Sequence, residues 1–500
     1  MYARSRIPVG PPVTSPLPSY WQHPKSPLAA TIEPSTSSPT APYDYAIIGS
    51  GISGTMLAYN LLTLHPGSRI VLLDAREMCS GATGRNGGHT KAASYRTYLQ
   101  HKEELGKEEA MRIVRLEWEN IKATHKLARD LGIECESEMC NTVDLIYDEE
   151  TFERGKKAIE ELKADAEDKE REWGEMAWYR VYEKDEGVQQ KFWVASENGN
   201  PALIEAEEKL VGAFKYVAGR IHAYRFTTGV LKECVKKGLE LCANTPVHSI
   251  LPSSTNATTS KPMYDVFTQY TTIPAHNVIL ATNGYTPYLL PALQGSVVPL
   301  RGQIAVQVPP RTAKHPSVLP RTYSFIYAEG YEYMIPRQLP DGGQHIVIGG
   351  GLGRLPEAGA SEYGTVDDSA LNKDVTQYLR GSVSGYFGTP EADESGDGKE
   401  DGYETVAEWT GIMGATADGR PFVGEVPGQK GLWISAGFNG HGMVLCLKAA
   451  EALVKLLEGE LVNWFPESFL ISEKRLKECR FDGRTDMRVP ETGGGPVGAK

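Results

Sequence analysis

Gly49-x-Gly51-x-x-Gly54 constrains what this chain can fold into more than any other stretch. The apolar run Tyr45-Ala-Ile-Ile-Gly49 precedes it, and Ser53 to Leu64 follows, with Met56, Leu57, Asn60, Leu61 and Leu64 at helical spacing. His65-Pro66-Gly67 stops that helix, and Arg69-Ile-Val-Leu-Leu-Asp74 reads as a second buried strand. Strand, turn, helix and strand in immediate succession make a βαβ unit, which requires a parallel sheet. Each glycine has a mechanical reason. The first makes the tight turn, the second lets backbone approach a pyrophosphate, and the third lets helix pack on strand, with the helix N-terminus facing the phosphates. Asp74 ends the second strand, where a carboxylate meets ribose hydroxyls. Ser50, Ile52 and Ser53 within the turn, and Ala75 and Arg76 after Asp74, complete the expected contacts. The fingerprint predicts a bound dinucleotide and leaves NAD and FAD equally open, because both present the same ADP half.

Composition narrows the rest. The balance of 52 Lys plus Arg against 64 Asp plus Glu gives a net charge of −12, which argues against a nucleic-acid or anionic-membrane binder. Seven cysteines form no CxxC pair, no metal site is expected, and no apolar run approaches the ~20 residues of a membrane helix. A reducing, cytoplasmic setting is the expectation. Glycine is over-represented at 52 of 500 residues, where average usage of about 7% would give roughly 35. Residues 1–42 hold ten prolines and read as an extended, solvated arm, with a packed arm as the alternative. Asn256-Ala257-Thr258 is a glycosylation tripeptide of little weight.

Charged helical stretches are predicted from about Glu103 to Leu131 and from Glu150 to Trp173, with further helices at Phe226 to Lys237 and Met443 to Leu457. Strand patterns occur at Pro246–Ile250, Tyr264–Thr272, Asn277–Thr282, Gln303–Val308, Tyr323–Tyr327 and His345–Ile348. Residues 391–403 read as an acidic, glycine-broken loop.

Two more segments separate the cofactor choices. Cys79 to His89 is a glycine-studded loop of small polar residues, suited to running along a long flat cofactor. Ser435 to Met443 ends a strand and opens the last helix, aiming backbone N–H groups at negative charge such as that on the N1–C2=O edge of a reduced flavin. With these residues the sequence resembles the D-amino-acid oxidase-like family of FAD-dependent oxidoreductases, which includes glycine and sarcosine oxidases, and it looks most like the γ-glutamylputrescine oxidoreductase branch.

The resemblance implies α/β plus antiparallel β architecture: a discontinuous Rossmann-like FAD-binding domain (43–115, 202–298 and 405–460) and a mixed or antiparallel β-sheet substrate domain carrying surface helices (116–201 and 299–404). The arm 1–42 and a tail 461–500 flank them. It also implies that Thr83, Arg85, Asn86, Gly87, Gly88 and His89 pass the pyrophosphate and flavin. Val247 matches the adenine-side contact, and Ala281, Thr282, Asn283 and Gly284 match a strand-end motif near the phosphates. Met413, Asp418-Gly419-Arg420-Pro421 and the run Gly437, Phe438, Asn439, Gly440, His441, Gly442, Met443 match segments beside the ring. Relatives that attach FAD covalently do so through a cysteine near residues 409–418; none stands here, so noncovalent FAD is expected. The lysine that relatives use to promote oxygen reduction has no match in 344–350, which leaves O2 or another electron acceptor.

The resemblance implies oxidation of a C–N bond of an amine or amino acid by hydride transfer to flavin N5, with no obligatory side-chain base. Substrate-side candidates are Arg301 for a carboxylate, Tyr333 with Tyr327 and Tyr331 for an aromatic box, and His441 as a flavin-side group or proton relay. Tyr323, Phe325 and Tyr327 share one strand face and read as core. Alternatives are C–C or C–O oxidation of a biosynthetic intermediate on the same scaffold, and a flavoprotein with a structural or assembly role.

Overall fold

The computed structural model of the chain describes residues 2–30, 39, 41–203, 208–253, 263–388 and 402–481. Most of the acidic loop 391–403, the tripeptide Asn256-Ala257-Thr258 and residues 482–500 lie outside the described residues.

The strand Tyr43–Ile48 sits in the middle of a sheet with spatial order Phe422–Glu425, Leu432–Ala436, Thr272–Leu280, Tyr43–Ile48, Ile70–Leu73, Glu240–Cys242. From Leu432–Ala436 to Glu240–Cys242 all pairings are parallel, as the βαβ unit predicts. Ile47, Ile70, Leu72 and Ile279 are fully buried because helices cover the sheet. The helix Cys446–Leu457 packs on Ile52–Leu64, which also meets Ala223–Lys236. Their apolar faces, including Leu57, Leu61, Phe226, Ala450 and Leu453, share one core.

A second sheet runs in the order Glu404–Thr416, Val297–Val308, Gln344–Gly349, Gly330–Gln338, Thr322–Tyr327, Glu138–Ile146, Gly212–Arg220, His89–Thr90. Among the described pairs in this sheet, Thr322–Tyr327 on Glu138–Ile146 is parallel and the rest are antiparallel, so the expected mixed character holds. Helix Lys373–Phe387 closes its outer face, where Phe325 stacks on Tyr386 with centroids 3.8 Å apart. Tyr323 and Phe325 are buried there as core, and Tyr327 is buried with its hydroxyl donating to Glu332 at 2.9 Å.

Three features depart from the sequence reading. Strands Gly212–Arg220 and Glu404–Thr416, which fall within or at the edge of stretches expected in the FAD-binding part, pair into the second sheet. The long charged stretch is two helices, Tyr95–Leu105 and Lys107–Asp130, broken at Gly106 with φ +85°. The flanking segments are also packed. Trp21 and Ala29 of the arm are buried, as are Phe465, Phe469 and Phe481 beyond residue 461. Arg475 pairs with Asp418 at 2.8 Å. Proline denies the arm regular hydrogen bonding without denying it side-chain anchors.

Candidate functional site

The two sheets meet along a cavity of about 370 Å3. Its first wall is the turn after Tyr43–Ile48, where Gly49 has φ +105° and an added Cβ would lie 2.5 Å from the carbonyl oxygen of Ala281. A Cβ on Gly54 would overlap the carbonyl oxygen of Gly49, so Gly54 packs helix on strand and does not line the cavity. Asp74 accepts from the Ser50 amide and hydroxyl at 2.9 and 2.5 Å and from the Arg76 amide at 3.0 Å. Thr83 Oγ1 accepts from the Ile52 amide at 2.9 Å and caps the helix start.

Gly49, Ser50, Gly51, Ile52, Ser53, Asp74, Ala75 and Arg76 all line the cavity. So do Thr83, Arg85, Asn86, Gly87, His89, Val247, Ala281, Thr282 and Asn283. Near its far end it is lined by Tyr333, Met413, Phe438, Gly440, His441, Gly442 and Met443. A lining this rich in glycine and backbone suits a long flat ligand. Tyr285 also lines the cavity, and among the described residues its buried hydroxyl has no hydrogen-bond partner. Such an orphan donor at the cavity wall fits the phosphate and ribose oxygens of FAD.

Other expected residues fall elsewhere. Arg301 does not line the cavity: its guanidinium donates to Glu362 Oε2 at 2.6 Å and to the Asp367 carbonyl at 3.1 Å. Arg420 donates to Glu104 at 3.2 Å and Asp418 at 3.4 Å, away from the cavity. Gly88 packs against the Ile221 carbonyl and Trp21, and Gly284 against the Met413 backbone. The amides of Gly437 and Phe438, expected to aim at a flavin, donate to Asn283 Oδ1 at 3.0 and 3.1 Å. Asn439 caps the Thr416 amide at 2.7 Å. That leaves Phe438, Gly440, His441, Gly442 and Met443 as the part of the turn facing the cavity. Arg85 lines it but donates to the carbonyls of Ser80, Thr410 and Leu17. Its role is to tie segments together. Trp409 is fully buried behind that residue, with its indole N–H on the Arg85 carbonyl at 2.8 Å.

Tyr333 is wedged between two glycines. A Cβ on Gly87 would collide with its ring, and one on Gly349 would lie 2.6 Å from its hydroxyl oxygen. Gly350 and Gly353 line the cavity beside it, which places part of the glycine cluster 349–353 on the cavity wall.

Sequence reasoning missed the cation of this end. Arg96 lines the cavity with its guanidinium 3.9 Å above the Tyr331 ring centroid. Among the described residues no carboxylate pairs with it. Burial opposes its charge, but Tyr331, Tyr95 and Asp144 outweigh that and raise its pKa. Lys91, by contrast, is neutralised by Asp144 and donates to Ser324 at 2.7 Å. No periodic pattern marks Arg96; proximity to the RNGGH loop was the available signal.

His441 pairs Nδ1 with the Asn439 carbonyl at 2.8 Å. The carbonyl can only accept, so Nδ1 carries the proton and Nε2 is left as acceptor. Burial lowers its pKa and the Arg96 charge adds to that. His89, 2.7 Å from the Thr322 hydroxyl, is also driven well down by burial and by Lys91. Both imidazoles are neutral near pH 7.

A family model described as FAD dependent oxidoreductase (DAO) matches residues 44–456. A "Probable oxidoreductase OrdL" of Rhizobium meliloti is 25% identical over 488 residues, covering 94% of this chain and 96% of the relative. A glycine oxidase of Pseudomonas aeruginosa is 30% identical over 193 residues, which is 37% of this chain and 43% of that protein. Among solved structures, glycine oxidase from Geobacillus kaustophilus superposes with a TM-score of 0.64 at 20% identity, covering 87% of this chain and 99% of that one. L-amino acid deaminase from Proteus vulgaris reaches 0.59 at 17% identity, covering 89% of this chain and 98% of that one. Among the described residues no helix is long and apolar enough to cross a membrane.

Proposed function

Because this chain belongs to the DAO family of FAD-dependent oxidoreductases, we propose that it oxidises the C–N bond of a small amine that carries a carboxylate, an amino acid or N-substituted amino acid. The observation that carries this reading is Arg96, a cation in the cavity with an aromatic ring beneath it and, among the described residues, no carboxylate paired with it. A substrate carboxylate supplies the missing partner through two parallel hydrogen bonds. The similarity to a glycine oxidase over part of the chain supports the same class.

In this reading the Gly49–Gly54 turn and the start of the helix after it hold the pyrophosphate, Asp74 the ribose and Val247 the adenine. The 83–89 loop, residues 281–283 and the 438–443 turn run along the remainder. When bound, FAD supplies a two-electron acceptor, so that hydride leaves the carbon beside a neutral amine and the imine left behind hydrolyses in water. Arg96 fixes the substrate's direction, Tyr331 and Tyr333 exclude water, and His441 Nε2 takes the proton that the ammonium must lose. FAD is held without a covalent bond, and electrons pass on to O2. The FAD-binding part takes 43–115, 202–298 and 405–460, less the strands that pair into the second sheet. All seven cysteines are unpaired, in keeping with the cytoplasmic location we propose.

The deciding experiment is anaerobic bleaching of the bound flavin by a panel of amino acids, N-methyl amino acids, amines without a carboxylate, and hydroxy acids. Bleaching by the carboxylated amines, with peroxide released on admitting air, is the expected result. Bleaching by hydroxy acids alone overturns the C–N assignment, and bleaching by uncharged amines alone overturns the role of Arg96.

A further inference from the structure

The N-terminal segment 2–30 lies outside the stretch that the family model matches, yet it is fastened at short intervals to the cofactor-side loops. Gln294 Nε2 donates to the carbonyls of Ser5 and Ile7 at 2.7 and 3.0 Å. Pro11 and Pro12 then form part of the cavity wall. The next carbonyl, of Val13, accepts from Arg76 Nη1 at 3.4 Å. Arg76 follows Asp74 by two residues, so the prolines flank the side of the cavity that holds the fingerprint carboxylate.

Further along, the segment clamps the loop that lines the cavity. The Leu17 amide donates to the Asp368 carbonyl at 2.9 Å, and the Leu17 carbonyl accepts from Arg85 Nη2 at 2.7 Å. The Asp368 carboxylate, 1% exposed, accepts from Arg76 at 2.9 Å and lies 3.5 Å from Arg85. Ser19 Oγ donates to the Gly84 carbonyl at 2.7 Å, and Gln22 Nε2 reaches the carbonyls of Gly84 and Ser80 at 3.3 and 3.4 Å. Trp21 covers Gly88. Ser19 and Gln22 hold the Gly84 carbonyl away from the cavity, and Gln22 joins Arg85 Nε, which donates at 2.9 Å, in holding that of Ser80. A carbonyl turned inward presents its negative end to an anionic pyrophosphate and repels it.

We propose that residues 11–22 are part of the dinucleotide site: Pro11 and Pro12 wall its ADP side, and Ser19 and Gln22 hold the 80–84 carbonyls out of the way of the phosphates. Retention of FAD thus depends on a segment outside the family's matched core. Breaking the clamp speeds release of the cofactor while leaving the two sheets intact.

The test uses the full-length holoprotein with Ser19→Ala plus Gln22→Ala, a second variant Pro11→Gly plus Pro12→Gly, and Arg6→Ala as a control within the segment. FAD release is followed by flavin fluorescence on dilution, and melting temperatures are measured for holo and apo forms. Loss of the three buried hydrogen bonds from Ser19 and Gln22, two of them long, predicts release about tenfold faster in the first variant. The second is also accelerated, the control is unchanged, and apo melting temperatures stay near that of the parent. Release within twofold of the parent in both variants overturns the proposal, as does an equal fall in apo and holo melting temperature, which marks a purely structural brace.

Discussion

Replacing Arg96 by Met keeps bulk over Tyr331 and removes the charge. Losing one partner of a buried, hydrogen-bonded charge pair costs about 2–5 kcal/mol, so kcat/KM for a carboxylated amine falls by about 10^2-fold or more, while the decarboxylated analogue changes little; steady-state kinetics on the pair check this. Equal losses on both substrates contradict carboxylate binding. A second residue-scale prediction concerns Gly54, whose added Cβ would overlap the Gly49 carbonyl. Gly54→Ala forces helix from strand at a cost of about 3 kcal/mol, read as a lower melting temperature together with lost FAD. Gly49 and Gly54 were legible in sequence because a Cβ at either would run into backbone. Arg96 was not, since a lone cation in the first turn of helix Tyr95–Leu105 has no period of its own, and Arg301 misled because its strand position does not reveal that its guanidinium turns to Glu362.

Among the elements, helix Ile52–Leu64 begins without a capping side chain of its own; Gly51 stands at the N-cap and Thr83 supplies the acceptor from another segment. Thr83→Val removes that acceptor at similar volume, costing about 1 kcal/mol, and it loosens the junction between the turn and the 83–89 loop. A melting temperature lowered by a few degrees, with weaker FAD retention, is the expected outcome. Helices Ala223–Lys236 and Cys446–Leu457 and strands Tyr43–Ile48 and Ile70–Leu73 were read from sequence to within a few residues, whereas the helix expected from Glu150 to Trp173 is Glu149–Asp165 and ends eight residues earlier. Strands Glu138–Ile146 and Gly212–Arg220 were not, because their pairing partner lies far along the chain and their alternation is diluted by polar residues. The break at Gly106 was missed for a different reason: nothing around it differs in composition from the helices on either side.

At the scale of the whole molecule, stability follows its buried imidazoles. Burial pushes His101 and His125 down to about 4 and His222 to about 3, and also lowers His89, His315, His345 and His441. Each stays neutral in the fold and charges in the unfolded chain below its ordinary value of 6.5. Their contribution is therefore complete above about pH 6.5 and is lost as pH falls toward 4 and 3. Glu117, pushed up to about 7 by burial, acts in the opposite sense from pH 4.5 to 7, one carboxyl against several histidines. Thermal melts of the apoprotein should show a falling melting temperature from pH 6.5 to 4.5; a flat or rising one contradicts the assignment.

The central strand Thr272–Leu280 takes its outer parallel partner from Leu432–Ala436, and Val297–Val308 waits for Glu404–Thr416. At ordinary translation rates of about 5–20 residues per second, the first of these edges stays open for on the order of ten seconds while the chain is made. Both walls of the cavity are thus finished late, and almost together. Cofactor capture comes after synthesis, so a cell short of flavin accumulates a chain with its strands paired and its cavity empty, a state without the stabilisation that a bound ligand adds and therefore opened more often to proteolysis.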